Sequence, residues 1–346
     1  MKQSREAGSR LLEIVMDLGA VGGHIGLFPH ERYDADAIGA SVALSRAFRS
    51  LGCQTAVLVD EPVPDSLSHL PGLEEVIVYQ AEEDCRVFDL ALAIDCYEAD
   101  RMGSRGACYL KTPLRGAVDH HVHPEEVDFL DLIDPEASST SELAFEMIWD
   151  LEMHLGREVF DQTSALLLLA GTITDTGRYS YSNTTPLSLR QAASMLERYR
   201  LDLSRLIHNL YERTTVARLQ IKGDILATLT QAGQGRILLA HASRDMLDKR
   251  GAPDDELSNL ASEIRAAEGA QVVFLLVEDQ DASIRVSIRS NSCFDSAAFA
   301  SRYGGGGHVK AAGMTIRDMS LDQALSDLAR KAEDWLDACS NGNQAG

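Results

Sequence analysis

The sequence lacks the features that would place the chain in a membrane or outside the cell. Its longest apolar runs are short, such as residues 165–170, whereas a helix needs about 20 apolar residues to span a bilayer. The N-terminus has a charged start but no apolar segment with a cleavage site, so it does not resemble a signal peptide. The six cysteines are scattered and form no C-x-x-C pair, which argues against a disulfide framework or a structural zinc site. We therefore expect a cytoplasmic protein with no membrane partner.

Basic residues are also scarce. Lysine and arginine total 32 against 53 aspartate and glutamate residues, and the formal net charge is −21. A protein that holds long duplex nucleic acid through its phosphates needs a basic surface, so we expect no partner of that kind. Most of the carboxylates are interpreted as a solvated acidic surface. A second interpretation stays open for some of them, which is that they bind metal cations.

Length and composition predict a globular chain of two domains. With 346 residues, of which 45% are hydrophobic and 25% charged, the chain is long for a single core. In the first part, short apolar strands alternate with amphipathic helices; the predicted strands are residues 25–30, 54–60, 89–95 and 114–121, and the predicted helices are 8–19 and 36–51. Such strands favour a parallel sheet that is buried on both faces. In sheets of this kind, ligands bind beyond the carboxyl ends of the strands.

A run of helices separates this pattern from a second one. The predicted helices are residues 141–155, 164–174, 186–198, 203–211 and 218–230. The second α/β pattern has predicted strands at 236–242, 271–278 and 283–289, a glycine-rich loop, and predicted helices at 255–267 and 321–335. We predict an N-terminal domain over residues 1–190, a helical linker over 191–232, a smaller α/β domain over 233–340 and a disordered tail over 341–346.

Five segments place aspartate or histidine where predicted strands or helices end. They are His30-x-x-x-Asp34-x-Asp36, Asp95, Asp119-His120-His121, Asp175-Thr176-Gly177 and residues 304–308 with the sequence GGGGH. Taken singly, most have a simpler structural interpretation, because aspartate also starts turns and caps helices. Asp34 can be a turn residue, and Asp36 can be the N-cap of the helix that follows. Adjacent histidines after a buried strand are harder to explain as core residues, so we expect one of them to face a ligand.

The chemistry of these side chains favours a metal site. In an extended loop, Asp34 and Asp36 would point the same way, because side chains alternate along an extended chain. Two carboxylates that lie near each other on the same side of a loop repel each other unless a cation lies between them. Histidine nitrogens and carboxylate oxygens without cysteine favour manganese, iron, cobalt or zinc over calcium. Since the first four segments follow one another through a single predicted domain, we interpret them as parts of one site.

In this order, the segments HxxxDxD, Asp, DHH, DTG and GGGGH resemble the DHH phosphoesterase superfamily. Residues 286–290 and 303–313 are similar to the two signatures of the DHH-associated C-terminal domain, and the resemblance extends from about Gly8 to Leu336. By length and layout, the chain is most similar to the bifunctional oligoribonuclease and pAp-phosphatase group. The resemblance implies an α/β fold with a parallel-sheet DHH domain, a helical linker and a smaller α/β domain, with the active site in the cleft between the domains.

The resemblance also implies two divalent cations, with Mn²⁺ as the expected metal. The implied ligands are His30, Asp34 and Asp95 for one cation, and Asp36, Asp95, His120 and Asp175 for the other. Asp95 would therefore bridge the two. Cations held in this way lower the pKa of a shared water and stabilise the negative charge that develops when it attacks a phosphate.

Catalytic and substrate-binding roles follow from the same resemblance. The implied catalytic residues are Asp95, Asp119, His120 and His121. Of these, His121 would face the substrate phosphate, and Asp119 would orient a histidine. The implied substrate contacts are His121, Arg101, Arg289, Ser290, Gly305, Gly306, Gly307 and His308. Glycines let backbone amides approach a phosphate closely, and arginine can hold one with its planar fork.

Two positions depart from the family pattern. Where the family commonly has Pro-Asp-Gly-Asp, residues 33–36 are Tyr-Asp-Ala-Asp, so the spacing is kept but Ala35 is less permissive than glycine. After Gly177, relatives often have Phe-Arg, whereas residues 178–180 are Arg-Tyr-Ser. These departures leave the conformation of the first loop and the detail of the substrate pocket open.

The function that the resemblance implies is manganese-dependent hydrolysis of short oligoribonucleotides, such as dinucleotides, to mononucleotides, of pAp to AMP, or of both. The partner would be a short single-stranded RNA or a nucleotide. Alternatives stay open: a phosphodiesterase acting on c-di-AMP or on linear pApA or pGpG, a RecJ-like single-strand exonuclease, a pyrophosphatase or polyphosphatase, and a catalytically silent nucleotide-binding module. The sequence also leaves open whether the chain forms a homodimer.

Overall fold

The computed structural model describes residues 2–80, 87–122, 128–251, 257, 260–291 and 293–342. The chain divides into two compact units, Met1–Arg213 and Thr214–Gly346. The division falls inside the predicted linker over residues 191–232, and the predicted domain boundaries stay a prediction. None of the described helices is long and apolar enough to cross a lipid bilayer.

The first unit contains a parallel sheet, as its apolar strands predict. Its strands among the described residues are β1 (His24–Pro29), β2 (Gln54–Val59), β3 (Val76–Val78), β4 (Leu90–Ile94), β5 (Arg115–Asp119) and β6 (Asp131–Ile133). They are arranged in the order β3-β2-β1-β4-β5-β6, and the pairings between them are parallel. The strand order reverses between β1 and β4, and a crevice forms at such a point beyond the carboxyl ends of the strands.

Helices and loops of the first unit cover both faces of this sheet. The helices are α1 (Lys2–Val21), α2 (Ala35–Ser50), α3 (Gly106–Lys111), α4 (Thr140–Leu155), α5 (Gln162–Asp175), α6 (Pro186–Tyr199) and α7 (Leu203–Ile207). Ile25 and Leu27 of β1 belong to the larger core with α2, α4 and α5, whereas Phe28 packs on the other face with Phe88 and Tyr109. Successive residues of β1 thus enter two different cores, which explains why its sequence is apolar without alternation.

The second unit has a mixed sheet, so the second α/β pattern is confirmed as well. Its described strands are β7 (Thr230–Ala232), β8 (Ile237–Ala242), β9 (Val272–Glu278), β10 (Ile284–Ser290), β11 (Gly306–His308) and β12 (Ala311–Ile316). The order is β11-β12-β10-β9-β8-β7, in which β8 and β9 are parallel and the other pairs antiparallel. The helices are α8 (Val216–Ala227), α9 (Arg244–Arg250), α10 (Leu260–Ile264), α11 (Ser296–Ser301) and α12 (Leu321–Gly342). The unit has two hydrophobic cores, to which alternate residues of β9 contribute.

Two predicted elements of the second unit change type where strand pairing outweighs the local pattern. The predicted helix over residues 218–230 ends at Ala227, because residues 230–232 pair with β8 as the edge strand β7. The glycine-rich segment is predicted as a loop but includes the short strand β11, since its backbone pairs with β12.

The end of the chain is more helical than the sequence indicates. Helix α12 runs beyond residue 335 to Gly342, so the first two residues of the predicted disordered tail are helical. The rest of that tail, residues 343–346, lies outside the described residues. Of the predicted helix over 255–267, residues 255, 256, 258 and 259 lie outside them too, and residues 260–264 are helical.

Candidate active site

Three neighbouring strands of the first unit end in the polar residues that the sequence motifs contain. His30 follows β1, Asp95 follows β4, and Asp119 is the last residue of β5, with His120 and His121 directly after it. Since β1 pairs with β4 and β4 with β5, these strand ends lie side by side. The carboxyl edge of a parallel sheet is where ligands bind in α/β proteins.

The two aspartates of the first motif are placed by helix termini. Asp34 is the N-cap of α2, and its Oδ1 accepts the backbone N–H groups of Asp36 and Ala37 at 2.9 and 3.1 Å. Asp36 is fully buried in the first turn, and its two oxygens accept the N–H groups of Thr140 and Ser141 at 2.7 and 2.8 Å. The cap is therefore Asp34 and not Asp36. The alternation expected for an extended loop is wrong, because the helix begins between the two aspartates.

The fourth motif reaches the same edge from α5. Asp175 is the last residue of this helix, and its Oδ2 lies 3.0 Å from Nε2 of His120. Gly171, one turn earlier, makes this approach possible. A Cβ at Gly171 would lie 2.2 Å from Oγ of Ser141 and 2.7 Å from Oδ1 of Asp36. A glycine is therefore required where α5 passes the first turns of α2 and α4.

Asp95 lies between two groups of converging side chains. Nitrogen and carboxylate oxygen atoms within 4.8 Å of one another form three groups: His30, Asp34 and Asp95; Asp36, His120 and Asp175; and Asp95, His120 and His121. Oδ2 of Asp95 lies 3.4 Å from Nε2 of His30, and its Oδ1 lies 3.7 Å from Nε2 of His120. Asp95 thus turns one oxygen towards each of the first two groups, as a bridging carboxylate must. The fold brings together all six side chains predicted as metal ligands.

Asp95 has an unusual backbone conformation that its surroundings hold in place. Its φ is +59°, in the left-handed region that residues other than glycine rarely adopt, and its side chain is buried. Its N–H donates to the carbonyl of Val118 at 2.9 Å, and its Oδ1 accepts the hydroxyl of Thr140 at 2.7 Å. Backbone strain of this kind is often found at functional sites. Thr140 is a candidate functional residue that the sequence motifs did not reveal. Its sequence context is a Ser-Ser-Thr run at the start of a helix, which does not indicate a metal site.

Excess negative charge raises the proton affinity of the buried part of the cluster. Burial, followed by the charges of Asp95 and Asp175, raises the pKa of Asp36 well above its usual value. Burial alone would lower the pKa of His120, but the hydrogen bond and charge of Asp175 outweigh it and raise that pKa to about 10. A bound cation would relieve this repulsion and displace the protons. The site therefore fits divalent cations by charge as well as by ligand type.

His121 lies on the accessible side of the cluster, with 48% of its side chain exposed. Its Nδ1 lies 2.8 Å from Oδ1 of the fully buried Asp119, which also accepts the backbone N–H of His121 at 3.1 Å. This hydrogen bond with Asp119 raises the pKa of His121. Asp119 is thus placed to orient a histidine, and that histidine is His121. The contact of His121 with a phosphate stays a prediction.

Arg101 belongs to a 3-10 helix, Ala99–Arg105, next to the loop that follows β1. Its carbonyl accepts the N–H of Glu31 at 2.6 Å, and its side chain is exposed. Arg105 anchors this helix, since its fully buried guanidinium donates from Nε to Oδ2 of Asp60 at 2.9 Å. Arg101 therefore lies near the cluster on a fixed segment, and its contact with substrate stays a prediction.

The other predicted substrate contacts lie together in the second unit. Arg289 on β10 and His308 on β11 are both register partners of Ala311 on β12, so they flank the same position of the sheet. Nε of Arg289 donates to Oγ of Ser262 at 3.1 Å, and its Nη1 donates to the carbonyl of Ile288 at 2.9 Å. The arginine fork is therefore held on a sheet and not on a loop.

Contacts and backbone conformation within the fold explain Ser290 and two of the three glycines predicted as substrate contacts. The hydroxyl of Ser290 is fully buried and donates to a backbone carbonyl of the following loop at 2.8 Å, so its substrate contact stays a prediction. A Cβ at Gly305 would lie 2.3 Å from the carbonyl oxygen of Gly313, and Gly307 has a φ of +142°. A Cβ at Gly306 would meet no atom of the described residues within 4 Å. Packing therefore does not explain Gly306, and its backbone keeps the open space that a phosphate contact needs.

Comparisons with known proteins identify relatives that match most of the chain. Residues 24–172 match the DHH family, N-terminal domain, and residues 235–338 match the DHHA1 domain. The bifunctional oligoribonuclease and PAP phosphatase NrnA of Thermus thermophilus is 33% identical over 322 residues, covering 92% of this chain and 92% of that protein. NrnA of Bacillus subtilis is 30% identical, covering 87% of this chain and 92% of that protein. An exopolyphosphatase-related protein of Bacteroides fragilis shares the fold, with a TM-score of 0.83, 22% identity and coverage of 95% of this chain and 98% of that one.

The sheet, its cluster of aspartates and histidines, and these relatives define an enzyme of the phosphoester hydrolase class. Within that class, the chain belongs to the DHH family, with a DHH N-terminal domain followed by a DHHA1 domain. The resemblance that the order of the motifs indicates is confirmed.

Proposed function

We propose that the chain hydrolyses short oligoribonucleotides, such as dinucleotides, to mononucleotides, and that it hydrolyses pAp to AMP. The proposed reaction uses two divalent cations, and Mn²⁺ is the expected metal. The observation that carries the proposal is the position of Asp95, with one oxygen near His30 and the other near His120. The names of the two relatives, both bifunctional oligoribonucleases and PAP phosphatases, support the choice of substrates.

The proposed metal ligands form two sets that share Asp95. They are His30, Asp34 and Asp95 for one cation, and Asp36, Asp95, His120 and Asp175 for the other. Four carboxylates balance the charge of two divalent cations, so an anionic substrate can approach a formally neutral site. When bound, such cations supply an activated water and stabilise the negative charge that develops at the phosphate.

The residues around the ligands fix their orientation. The hydroxyl of Thr140 holds Oδ1 of Asp95, and the first turn of α4 holds both oxygens of Asp36. Asp119 fixes the ring of His121, whose proposed role is to donate a hydrogen bond to a phosphate oxygen. Together these contacts limit the rotation of the groups that have to meet cations and substrate in one geometry.

We assign binding of the rest of the substrate to the predicted domain over residues 233–340, with Arg101 of the first unit as a further contact. Arg289, His308 and Gly306 offer a guanidinium, an imidazole and an open backbone beside one position of the sheet. The net charge of −21 favours a short substrate, since long nucleic acid requires a basic surface.

A manganese-dependent activity panel tests the proposal. The substrates are a 5′-phosphorylated dinucleotide, pAp, cyclic and linear di-AMP, and a long single strand. We expect turnover of the dinucleotide and pAp, and two bound cations per chain by metal analysis. Asp95→Asn should lower activity about 100-fold or more while the protein stays folded, because asparagine tolerates the left-handed conformation and still accepts from Thr140. The matched control is Asp65→Asn, at an exposed position, which should keep the parent activity.

Other outcomes would redirect or end the proposal. Turnover of cyclic di-AMP without turnover of the linear dinucleotide would make the chain a cyclic-dinucleotide phosphodiesterase. Activity on long single strands alone would indicate a RecJ-like exonuclease. Full activity of Asp95→Asn would show that the reaction does not need a bridging carboxylate at position 95.

A further inference from the structure

Two cysteines of the second unit lie side by side near the surface. Among the described residues, Cys53, Cys96 and Cys108 are buried, whereas Cys293 is exposed and Cys339 is half-buried. Sγ of Cys339 lies 3.6 Å from the carbonyl oxygen of Cys293 and donates a hydrogen bond to it. The described cysteines that solvent can reach are therefore the two that meet.

Core packing holds these cysteines together, although they are 46 positions apart in the sequence. Cys293 directly precedes Phe294, which is fully buried, and Cys339 is one helical turn after Trp335 on α12. The rings of Phe294 and Trp335 pack with their centroids 5.6 Å apart. Residues four apart in a helix lie on the same face. The packing of Trp335 against Phe294 therefore also brings Cys339 close to the loop of Cys293. The pair is thus preorganised by the hydrophobic core.

We propose that Cys293 and Cys339 form a reversible dithiol–disulfide site that reacts with low-molecular-weight disulfides such as oxidised glutathione. The site depends on contacts within the second unit and is independent of the proposed hydrolase function. It goes beyond the sequence patterns, because two cysteines so far apart carry no pairing signal.

The exposure of the two thiols determines the order of the reaction. Burial, and then the neighbouring thiol, raises the pKa of Cys339, so its thiolate is disfavoured. The exposed Cys293 therefore attacks first, as a thiolate, on one sulfur of oxidised glutathione, and one glutathione thiolate leaves. Cys339 then gives up its proton and attacks the mixed disulfide at the sulfur of Cys293, and the second glutathione leaves. Two protein thiols are oxidised, and one glutathione disulfide is reduced to two glutathione molecules.

The bond would tie α12 to a loop that contacts segments next to predicted substrate residues. The loop of Cys293 follows Ser290, whose hydroxyl donates to the carbonyl of Phe294. The N–H of Ser296 donates to the carbonyl of Val309 at 2.8 Å, directly after β11. Joining this loop to α12 closes a large loop of chain and restricts the unfolded state, so the oxidised protein should melt at a higher temperature than the reduced one.

The test treats the reduced protein with oxidised glutathione, quenches it with acid and analyses its peptides by mass spectrometry. When the remaining free thiols are alkylated in denaturant, Cys293 and Cys339 should both be found protected from alkylation. A linked peptide containing Cys293 and Cys339 should appear, and dithiothreitol should restore both the thiols and the lower melting temperature. Cys339→Ser should instead accumulate a glutathione adduct on Cys293, since the second thiol is missing. Cys53→Ser, which removes a buried cysteine, should form the link as the parent does.

Several results would overturn the proposal. One is the formation of separate glutathione adducts on Cys293 and Cys339 without a link. Another is a link that forms only after the protein has been unfolded in urea, because the native contact would then not be its cause. Equal melting temperatures of the linked and reduced proteins would show that the bond does not constrain the unit.

Discussion

Asp34 has two roles that substitution can separate. It caps α2 through its Oδ1, and it belongs to the proposed ligand set with His30 and Asp95. Asparagine caps a helix as well as aspartate does, whereas alanine does not. Asp34→Asn therefore keeps the cap and removes the charged ligand, and Asp34→Ala removes both.

The size of the stability effect follows from the cap. Oδ1 of Asp34 accepts two backbone N–H groups, at 2.9 and 3.1 Å. Loss of such a cap costs about 1 kcal/mol of unfolding free energy. For a unit the size of Met1–Arg213, this corresponds to a fall in melting temperature of about 2–4 °C. Both variants remove the charge of Asp34, so in metal-free protein Asp34→Ala should melt lower than Asp34→Asn by that amount.

The assay combines melting with a manganese titration. The melting temperature of the chelator-treated parent should rise as manganese is added, because a ligand that binds the folded state stabilises it. Both variants should lose most of this rise and most of the dinucleotide turnover. A parent-like manganese response of Asp34→Asn would show that Asp34 is a helix cap only, and the first ligand set would be wrong. Equal melting of the two metal-free variants would refute the estimate for the cap.

Three further predictions follow from the same structure. Thr140→Val removes the hydroxyl that holds the bridging aspartate, and we expect the manganese concentration for half-maximal activity to rise about 10–100-fold in initial-rate assays. Asp119→Asn weakens the hydrogen bond that orients His121, and it should lower kcat on the dinucleotide about 10–100-fold while the manganese requirement stays unchanged. Gly305→Ala should lower the melting temperature, because its Cβ would lie 2.3 Å from a backbone oxygen of β12. Gly306→Ala should melt as the parent does and should raise KM. A lower melting temperature of Gly306→Ala together with an unchanged KM would refute the assignment of Gly306 to substrate binding.

The parallel sheet could be predicted because burial on both faces leaves apolar strands that stand out from their surroundings. β2, β4 and β5 lie within the predicted strand ranges. The edge strands β3 and β6 could not be predicted, since three residues do not display a period and their pairing with a neighbour decides their conformation. The same applies to β7, where pairing overrides a helical pattern.

The candidate ligands could be found because each lies at the end of a strand or helix, where the sequence changes from apolar to polar. Their environment could not be found in the same way. Asp36 bonds to the amides of Thr140 and Ser141, which are 104 and 105 positions further along the chain. Thr140 also bonds to Asp95, 45 positions before it. No local pattern records these contacts.

The sequence by itself determined the class of fold and the order of the motifs, because periodicity and residue chemistry are local properties of a chain. The set of six candidate ligands came from the resemblance of those motifs to the DHH phosphoesterases. Only the tertiary structure decided that Asp34 caps α2, that Asp95 adopts a left-handed conformation between two groups of ligands, and that Cys293 meets Cys339. These features arise from the packing of segments that are distant in sequence, and their energies exist only once the strands and helices have come together.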